Sequence, residues 1–326
     1  MMHARWFRVL LAVALAGFAT MASAQSWPAR AVRIVIPYAA GGGVDGAARL
    51  MAAYLTQALG QNFIVDAKPG GATVIGTNAV AHAAPDGYTL LFTGSSTMSI
   101  LPLVHPTALP FDPLKDFEAV GMVSRMPFFL VASSARPYLR LGDLMADAKA
   151  RPGQLAYASN GVGSMVHLGI SRLTHAAGVD MIHVPYPGFA PALTDLVAGR
   201  VAMTMADLAP LKGQIDAGTV KPLAVSSAGR SHFMPDVPTL AEAGYPGTEF
   251  EIWLALFAPA GTPQPVIDTL GKAMRAYLGS PEARAAYGKL GHEADASDGP
   301  AVRQRIVAEQ KAFAPAAVAA GLARKP

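Results

Sequence analysis

The stretch Arg33–Met51, RIVIPYAAGGGVDGAARLM, joins a β-branched apolar run to a helix-period segment through three consecutive glycines. Gly41, Gly43 and Gly46 satisfy G-x-G-x-x-G, the run NFIVD follows, and Asp66 stands where a dinucleotide fold keeps its ribose-binding acid. In such a fold the first glycine closes the strand. Here Pro37, Tyr38, Ala39 and Ala40 intervene, which lengthens the loop and removes a backbone donor at Pro37. The glycines read better as bare backbone. Without Cβ atoms in the way, a carboxylate reaches amides of the loop and of the helix start, where N–H groups are unpaired and the dipole end is positive. The plain alternative is a tight turn at Gly41–Gly43. Downstream, Ala47, Leu50, Met51, Tyr54, Leu55, Ala58 and Leu59 form one apolar stripe ending at Gly60, the pattern of a helix packed on a sheet. Asp45 is placed to favour the helix N-terminus.

The N-terminus argues further against a nucleotide. Residues 1–24 carry Arg5 and Arg8, then the apolar run Val9–Ala19, then Ala22-Ser23-Ala24 in the A-x-A form of a signal-peptidase site. A run of 11 residues is too short for a membrane span, which needs about 20. The expectation is a cleavable signal peptide over 1–24 and a periplasmic protein. The leader has no Arg-Arg pair, so export of a folded, cofactor-loaded chain is not expected. The chain has no Cys, hence no lipid-attachment cysteine and no disulfide framework. Loss of Arg5 and Arg8 brings the formal charge of +4 nearer neutrality, and no Lys/Arg run forms a phosphate-tracking stripe; nucleic acid is not an expected partner.

With 326 residues and 52% hydrophobic content, two domains are expected. Short apolar runs alternate with helix-period segments, which gives the α/β class. Strand candidates are 62–66, 88–93, 128–133, 155–159, 181–185, 201–205 and 222–226, followed by a strand-like EIWLALFAP and three C-terminal helices. The economical arrangement is a discontinuous lobe of 25–124 plus 226–326, with 125–225 inserted as a second lobe and the crossings acting as hinges.

A second strand-loop-helix unit, QLAYAS-NGVGS-MVHLGISRLTHAAG, repeats the logic of the first. Two such turns facing each other would clamp an anion. Ser159 and Ser164 offer hydroxyl donors while Gly161 and Gly163 keep amides open, which suits a carboxylate's acceptor-only oxygens. Ser164 is also placed to cap the helix beginning near Met165, and both roles can hold at once. His167, in that helix's first turn, either reaches the cleft or packs. Neither 38–45 nor 159–164 contains Lys or Arg, so recognition would rest on amides, hydroxyls and water.

Seven blocks in order carry a family resemblance: PYAAGGGVD at Pro37, PDGYTL at Pro85, FDPLKDF at Phe111, PGQLAYASNGVGSMVHL at Pro152, VPYPGFAPALTDLVAGRV at Val184, DVPTLAEAG at Asp236 and APAGTP at Ala258. The chain resembles Bug-type (TctC-like) extracytoplasmic solute receptors, the binding-protein components of tripartite tricarboxylate transporters. The resemblance implies a two-lobed, type II periplasmic-binding-protein (Venus flytrap) fold whose cleft closes on a small carboxylate. It implies a monomer serving a TctA/TctB-like transporter or a sensor, and no cofactor. It also implies ligand contacts from Tyr38, Ala39, Gly41, Gly42 and Gly43, from Asn160 with Ser159, Gly163 and Ser164, and at the ligand's distal end from Thr93, Gly94, Ser95 and Asp207, the last through water. Asp207 reads otherwise as a helix cap.

The chain departs from its relatives in two places. Pro187 precedes Gly188 where many relatives have Lys, and their G-A-G-G run appears as Gly70-Gly71-Ala72-Thr73. Phe189 then either walls the ligand, with Phe128, Phe129 and Trp253 adding apolar surface, or packs under its helix. Catalytic motifs are missing: there is no G-x-S-x-G, no P-loop and no H-E-x-x-H. The chain is read as no enzyme and without a metal; the alternative is an exported serine hydrolase using Ser95 or Ser164 with His167.

Overall fold

A computed structural model describes residues 27–105 and 107–323. The expected signal peptide over 1–24 lies outside them. One six-stranded sheet contains β1 (Val32–Ile36), β2 (Phe63–Ala67), β3 (Thr89–Gly94), β4 (Phe117–Met126), β10 (Ile252–Pro259) and β11 (Glu293–Ala294). A five-stranded sheet takes β5 (Phe129–Ser133), β6 (Ala156–Ser159), β7 (Ile182–Pro185), β8 (Met203–Ala206) and β9 (Val220–Val225).

In the first sheet β1 lies between β2 and β3, parallel to both, while β10 runs antiparallel between β3 and β4. The sequence of β1 explains its central place. Four of its five residues are buried, with Ile34 and Ile36 on one face and Val35 on the other, as a strand covered on both sides requires. Helix Gly43–Leu59 covers one face with Ala47, Met51 and Leu55 and ends at Gly60 (φ 69°), whose N–H donates to the Thr56 carbonyl. Helix Gly299–Ala319 covers the other with Val302 and Ile306, which join the core of Val35, Trp253 and Phe257. Trp253 is fully buried, its Nε1 donating to Glu309 at 2.9 Å, and Phe129 and Phe128 are core residues too. Trp253 and Phe129, both without exposed surface, add no apolar surface to a ligand cleft.

Asp66 has an ordinary explanation. Its carboxylate lies 3.8 Å from Arg33 and 3.7 Å from Lys68, surface charges on and beside the neighbouring strands. The dinucleotide pattern is therefore spent on a loop of another kind.

The sheets are joined where β4 ends at Met126 and β5 begins at Phe129. The chain returns less directly. After β9, Thr239 bridges to Val225, and Phe233, Met234 and Val237 pack in the second sheet's core before β10 re-enters the first. A third link is the C-terminal helix, whose Phe313 meets Phe250 edge-on at 6.1 Å under the guanidinium of Arg172, 4.5 Å above the ring. We propose the division into 25–124 plus 226–326 and 125–225 on these strand memberships, noting that Arg125 and Met126 still pair with β10. No helix among the described residues is long and apolar enough to cross a membrane.

Candidate functional site

Both glycine loops leave the end of a strand and open a helix, as the repeat in the sequence suggests, and they share a device the sequence does not display. In the first, Gly41 (φ +86°) donates its N–H to Asp45 Oδ2 at 3.0 Å. In the second, Gly163 (φ +77°) donates its N–H to His167 Nδ1 at 3.1 Å. Each left-handed glycine is thus latched to the side chain four residues on. The latches differ in chemistry. Asp45 is buried, and the hydrogen bond from Arg49 at 2.9 Å holds its carboxyl below the usual range, so the first latch is anionic. His167 is buried, which pushes its imidazole below its ordinary value, and it accepts through Nδ1, so the second latch is neutral with its proton on Nε2.

The latches decide which amides are left over. Those of Gly41 and Gly163 are taken, and Gly161 donates to Ser159 Oγ at 3.2 Å. Ala39, Gly42 and Gly43 are exposed at the surface of the first loop, with Gly42 in the N-cap position without a side-chain cap. Asn160 is exposed at the tip of the second. Ser164 is the N-cap of helix Met165–Ala177, its Oγ accepting from His167 N at 3.2 Å, which leaves the hydroxyl proton to donate elsewhere.

Ser159 stands differently. It is fully buried, bonded to His183 Nε2 at 2.7 Å and to Gly161 on both its N–H and carbonyl, so it shapes the loop from beneath. His183 in turn stacks on His167 with ring centroids 3.8 Å apart and 8° between planes, and Tyr157 stacks beyond it at 5.1 Å. Burial and the neighbouring imidazole push His183 down to about 4. The second loop therefore rests on a neutral aromatic stack.

On the first lobe, Tyr38 is half-buried and its hydroxyl lies 3.3 Å from Thr93 and 3.1 Å from Thr97. Thr93 donates to Thr97 at 2.9 Å and Thr97 to Thr73 at 3.1 Å, a hydroxyl chain that ends in the G-G-A-T turn. Thr93, Gly94 and Ser95 are buried; Ser95 Oγ accepts from Trp253 N at 3.4 Å. They support the floor. What faces the second loop is Ala72, Thr73, Ser96, Ile100, Leu101 and Val104, which with residues 160–165 line a partly open cavity of about 210 Å³. Ser96 opens a π-helical turn, Ser96–Ile100, a distortion common at binding sites.

The opposite flank involves residues that sequence reasoning missed. His292 is buried 3.8 Å from where a Cβ on Gly43 would stand, bonded to Ser124 Oγ at 3.3 Å and pushed by burial down to about 4. Next to it Gly291 approaches the backbone N of Ala209. Asp207, at the N-cap of helix Leu208–Asp216, makes no side-chain cap bond, and burial pushes its carboxyl up. Phe189 is half-buried against the second sheet's core. No sequence motif announces His292, which is brought in by a turn after the last-but-one helix. No group of three or more metal-ligating side chains occurs among the described residues.

This arrangement can hold a small anion, and among the described residues it sets no imidazole against an accessible serine hydroxyl. His167 turns its Nδ1 to Gly163 rather than to a serine, Ser95 is buried, and the serine–imidazole pairs Ser159–His183 and Ser124–His292 lie beneath the surface.

Known proteins give the same picture. A sequence model of the tripartite tricarboxylate transporter family receptor matches residues 47–317. Protein BugT of Bordetella pertussis is 38% identical over 270 residues, covering 82% of each chain. The solved structure of R. palustris Rpa4515 with adipate aligns with a TM-score of 0.78 and 34% identity, over 92% of this chain and 100% of its own. MatC (Rpa3494) from Rhodopseudomonas palustris with bound malate aligns with a TM-score of 0.73 and 31% identity, over 89% and 99%.

Proposed function

The chain belongs to the tripartite tricarboxylate transporter receptor family, and from that premise we propose that it works in the periplasm as a monomer, capturing a small carboxylate between its lobes for a TctA/TctB-like transporter or a sensor. As in the rest of a family of receptors, it binds rather than catalyses, and the serine hydrolase alternative has no support. The observation that carries the proposal is the pair of latched glycine loops, each leaving the end of a strand and opening a helix. They leave helix-start amides and the Ser164 hydroxyl as donors without any Lys or Arg in either loop. Similar proteins holding adipate and malate support the ligand class. Donors of this kind hold an anion reversibly, which transport requires.

The test is a thermal-shift and calorimetric screen of the mature protein with carboxylates, sugars and amines. Saturable one-to-one binding of a mono- or dicarboxylate is expected, and a sugar or a cationic amine as the sole hit would overturn the proposal.

Ser164 separates recognition from capping. Ser164→Ala should weaken carboxylate binding by about 1–2 kcal/mol through the lost charge-assisted bond and cost about 1 kcal/mol of stability through the lost cap. Ser164→Gly loses the same hydroxyl, yet glycine caps almost as well, so its stability should fall by only a few tenths of a kcal/mol. Unchanged affinity in both variants would reduce Ser164 to a cap.

A further inference from the structure

The cavity between Thr73 and Ser164 has an uneven lining. Ile100, Leu101, Val104, Val162 and Met165 supply apolar surface; Thr73, Ser96, Asn160 and Ser164 supply polar groups, all neutral. No charged side chain lines it among the described residues. A carboxylate bound at its rim meets hydroxyls and amides, whereas a second carboxylate pushed inside would lose its water and find no cation. Alkyl carbon meets the opposite fate, since each methylene taken from water contributes favourably. At about 30 Å³ per water-sized group, about 210 Å³ holds roughly seven such groups.

Thr73 marks the polar end of this cavity. It sits at φ +80° beside Ala72 at φ +51°, and Gly70 and Gly71 before them are also left-handed. A β-branched residue in that region is strained and persists only where its surroundings hold it there. Its hydroxyl holds the end of a directed chain. Thr93 donates to Thr97 and Thr97 donates to Thr73, so the Thr73 oxygen is already an acceptor and its own proton is left to donate into the cavity.

Resting on the carboxylate-receptor reading above, we propose that the cavity is a tail chamber that selects an aliphatic monocarboxylate of about four to six carbons, with Thr73 the specificity-determining donor contributed by the first lobe. The head group lies between the Thr73 and Ser164 hydroxyls. Its uncharged tail lies on Ile100, Leu101 and Val104.

Calorimetry with two matched series tests this: butanoate, pentanoate and hexanoate against succinate, glutarate and adipate, with citrate as a third arm. Affinity in the first series should rise about fourfold per methylene, from about 0.8 kcal/mol each, and pentanoate should bind at least about tenfold tighter than glutarate. Thr73→Val keeps the β-branched shape at the same φ but takes away the acceptor of the Thr97 proton; it should weaken pentanoate about tenfold and lower the melting temperature by a few degrees, whereas Thr73→Ser, which keeps the hydroxyl, should keep the pentanoate affinity. Val104→Lys places a cation at the chamber wall and should move the preference toward glutarate. Tighter binding of glutarate or citrate than of pentanoate by the wild-type protein overturns the tail chamber and leaves the receptor reading intact. If no carboxylate binds the folded protein, the receptor reading itself fails. Full pentanoate affinity in Thr73→Val removes Thr73 from recognition, and an unmoved preference in Val104→Lys tells against the chamber.

Discussion

Gly94→Ala is expected to destabilise the protein by at least about 3 kcal/mol, the largest effect of any single methyl group added near the cleft. Gly94 ends β3 opposite Leu254 of β10, and a Cβ there would stand 1.8 Å from the Trp253 carbonyl oxygen and 2.9 Å from its carbon. Those are backbone atoms, so no side chain can swing aside. Nor can Trp253 retreat, since its indole is fully buried and tied by Nε1 to Glu309. The strands must part at the centre of the sheet. At about 2–4 °C per kcal/mol for a chain of this order, the melting temperature should fall by roughly 6–12 °C. The resemblance to relatives places Gly94 at the ligand, but the packing explains the glycine without one. A variant that melts like the wild type yet loses carboxylate affinity would restore the ligand role.

The same contrast runs through what the sequence reveals and hides. The first loop and its helix are legible because their signals are local: a buried β-branched strand, glycines, a 3.6-residue stripe and a glycine stop. Ser164 as N-cap is legible for the same reason. β4, FEAVGMVSRM, is not among the expected strands, although it spans ten residues and pairs along the length of β10. Its Glu118, Gly121, Ser124 and Arg125 break any simple period. Their partners come from far along the chain: Ser124 meets His292, Arg125 meets Glu251, and a Cβ on Gly121 would press on the Ser297 carbonyl at 3.1 Å. The hydroxyl chain from Tyr38 to Thr73 likewise collects residues from three segments, none of them unusual in its own neighbourhood. Ser159 shows the converse. Its position in a glycine loop advertises a ligand donor, while a histidine 24 residues on claims its hydroxyl.

Glu251→Ala is expected to cost about 2–3 kcal/mol, because one buried carboxylate accepts from two guanidinium groups where the lobes join. Arg125 is the last residue but one of β4, leaving the first lobe; Glu251 immediately precedes β10, entering it. Glu251 Oε1 accepts from Arg125 Nη1 at 3.1 Å, and Oε2 accepts from Arg305 Nη2 of the C-terminal helix at 2.9 Å. The Glu251 side chain is only 7% exposed, so salt screens these bonds little. Removing it takes a charged acceptor from each guanidinium group, although Arg125 keeps Asp295 at 2.7 Å and Glu293 at 3.6 Å and Arg305 keeps Glu309 at 3.0 Å. Those remaining partners place the expected loss at the lower end of the range and predict that Glu251→Gln, which keeps an acceptor oxygen, loses about half as much. Chemical denaturation of the three proteins at low and high salt measures it. The network ties both crossings and the C-terminal helix at one point, so its loss should also loosen the lobes before any ligand is present. A Glu251→Ala protein within about 1 kcal/mol of wild type would show instead that the joint is held by packing, with Phe250 seated on Gly169 and Phe313 edge-on to Phe250 carrying it.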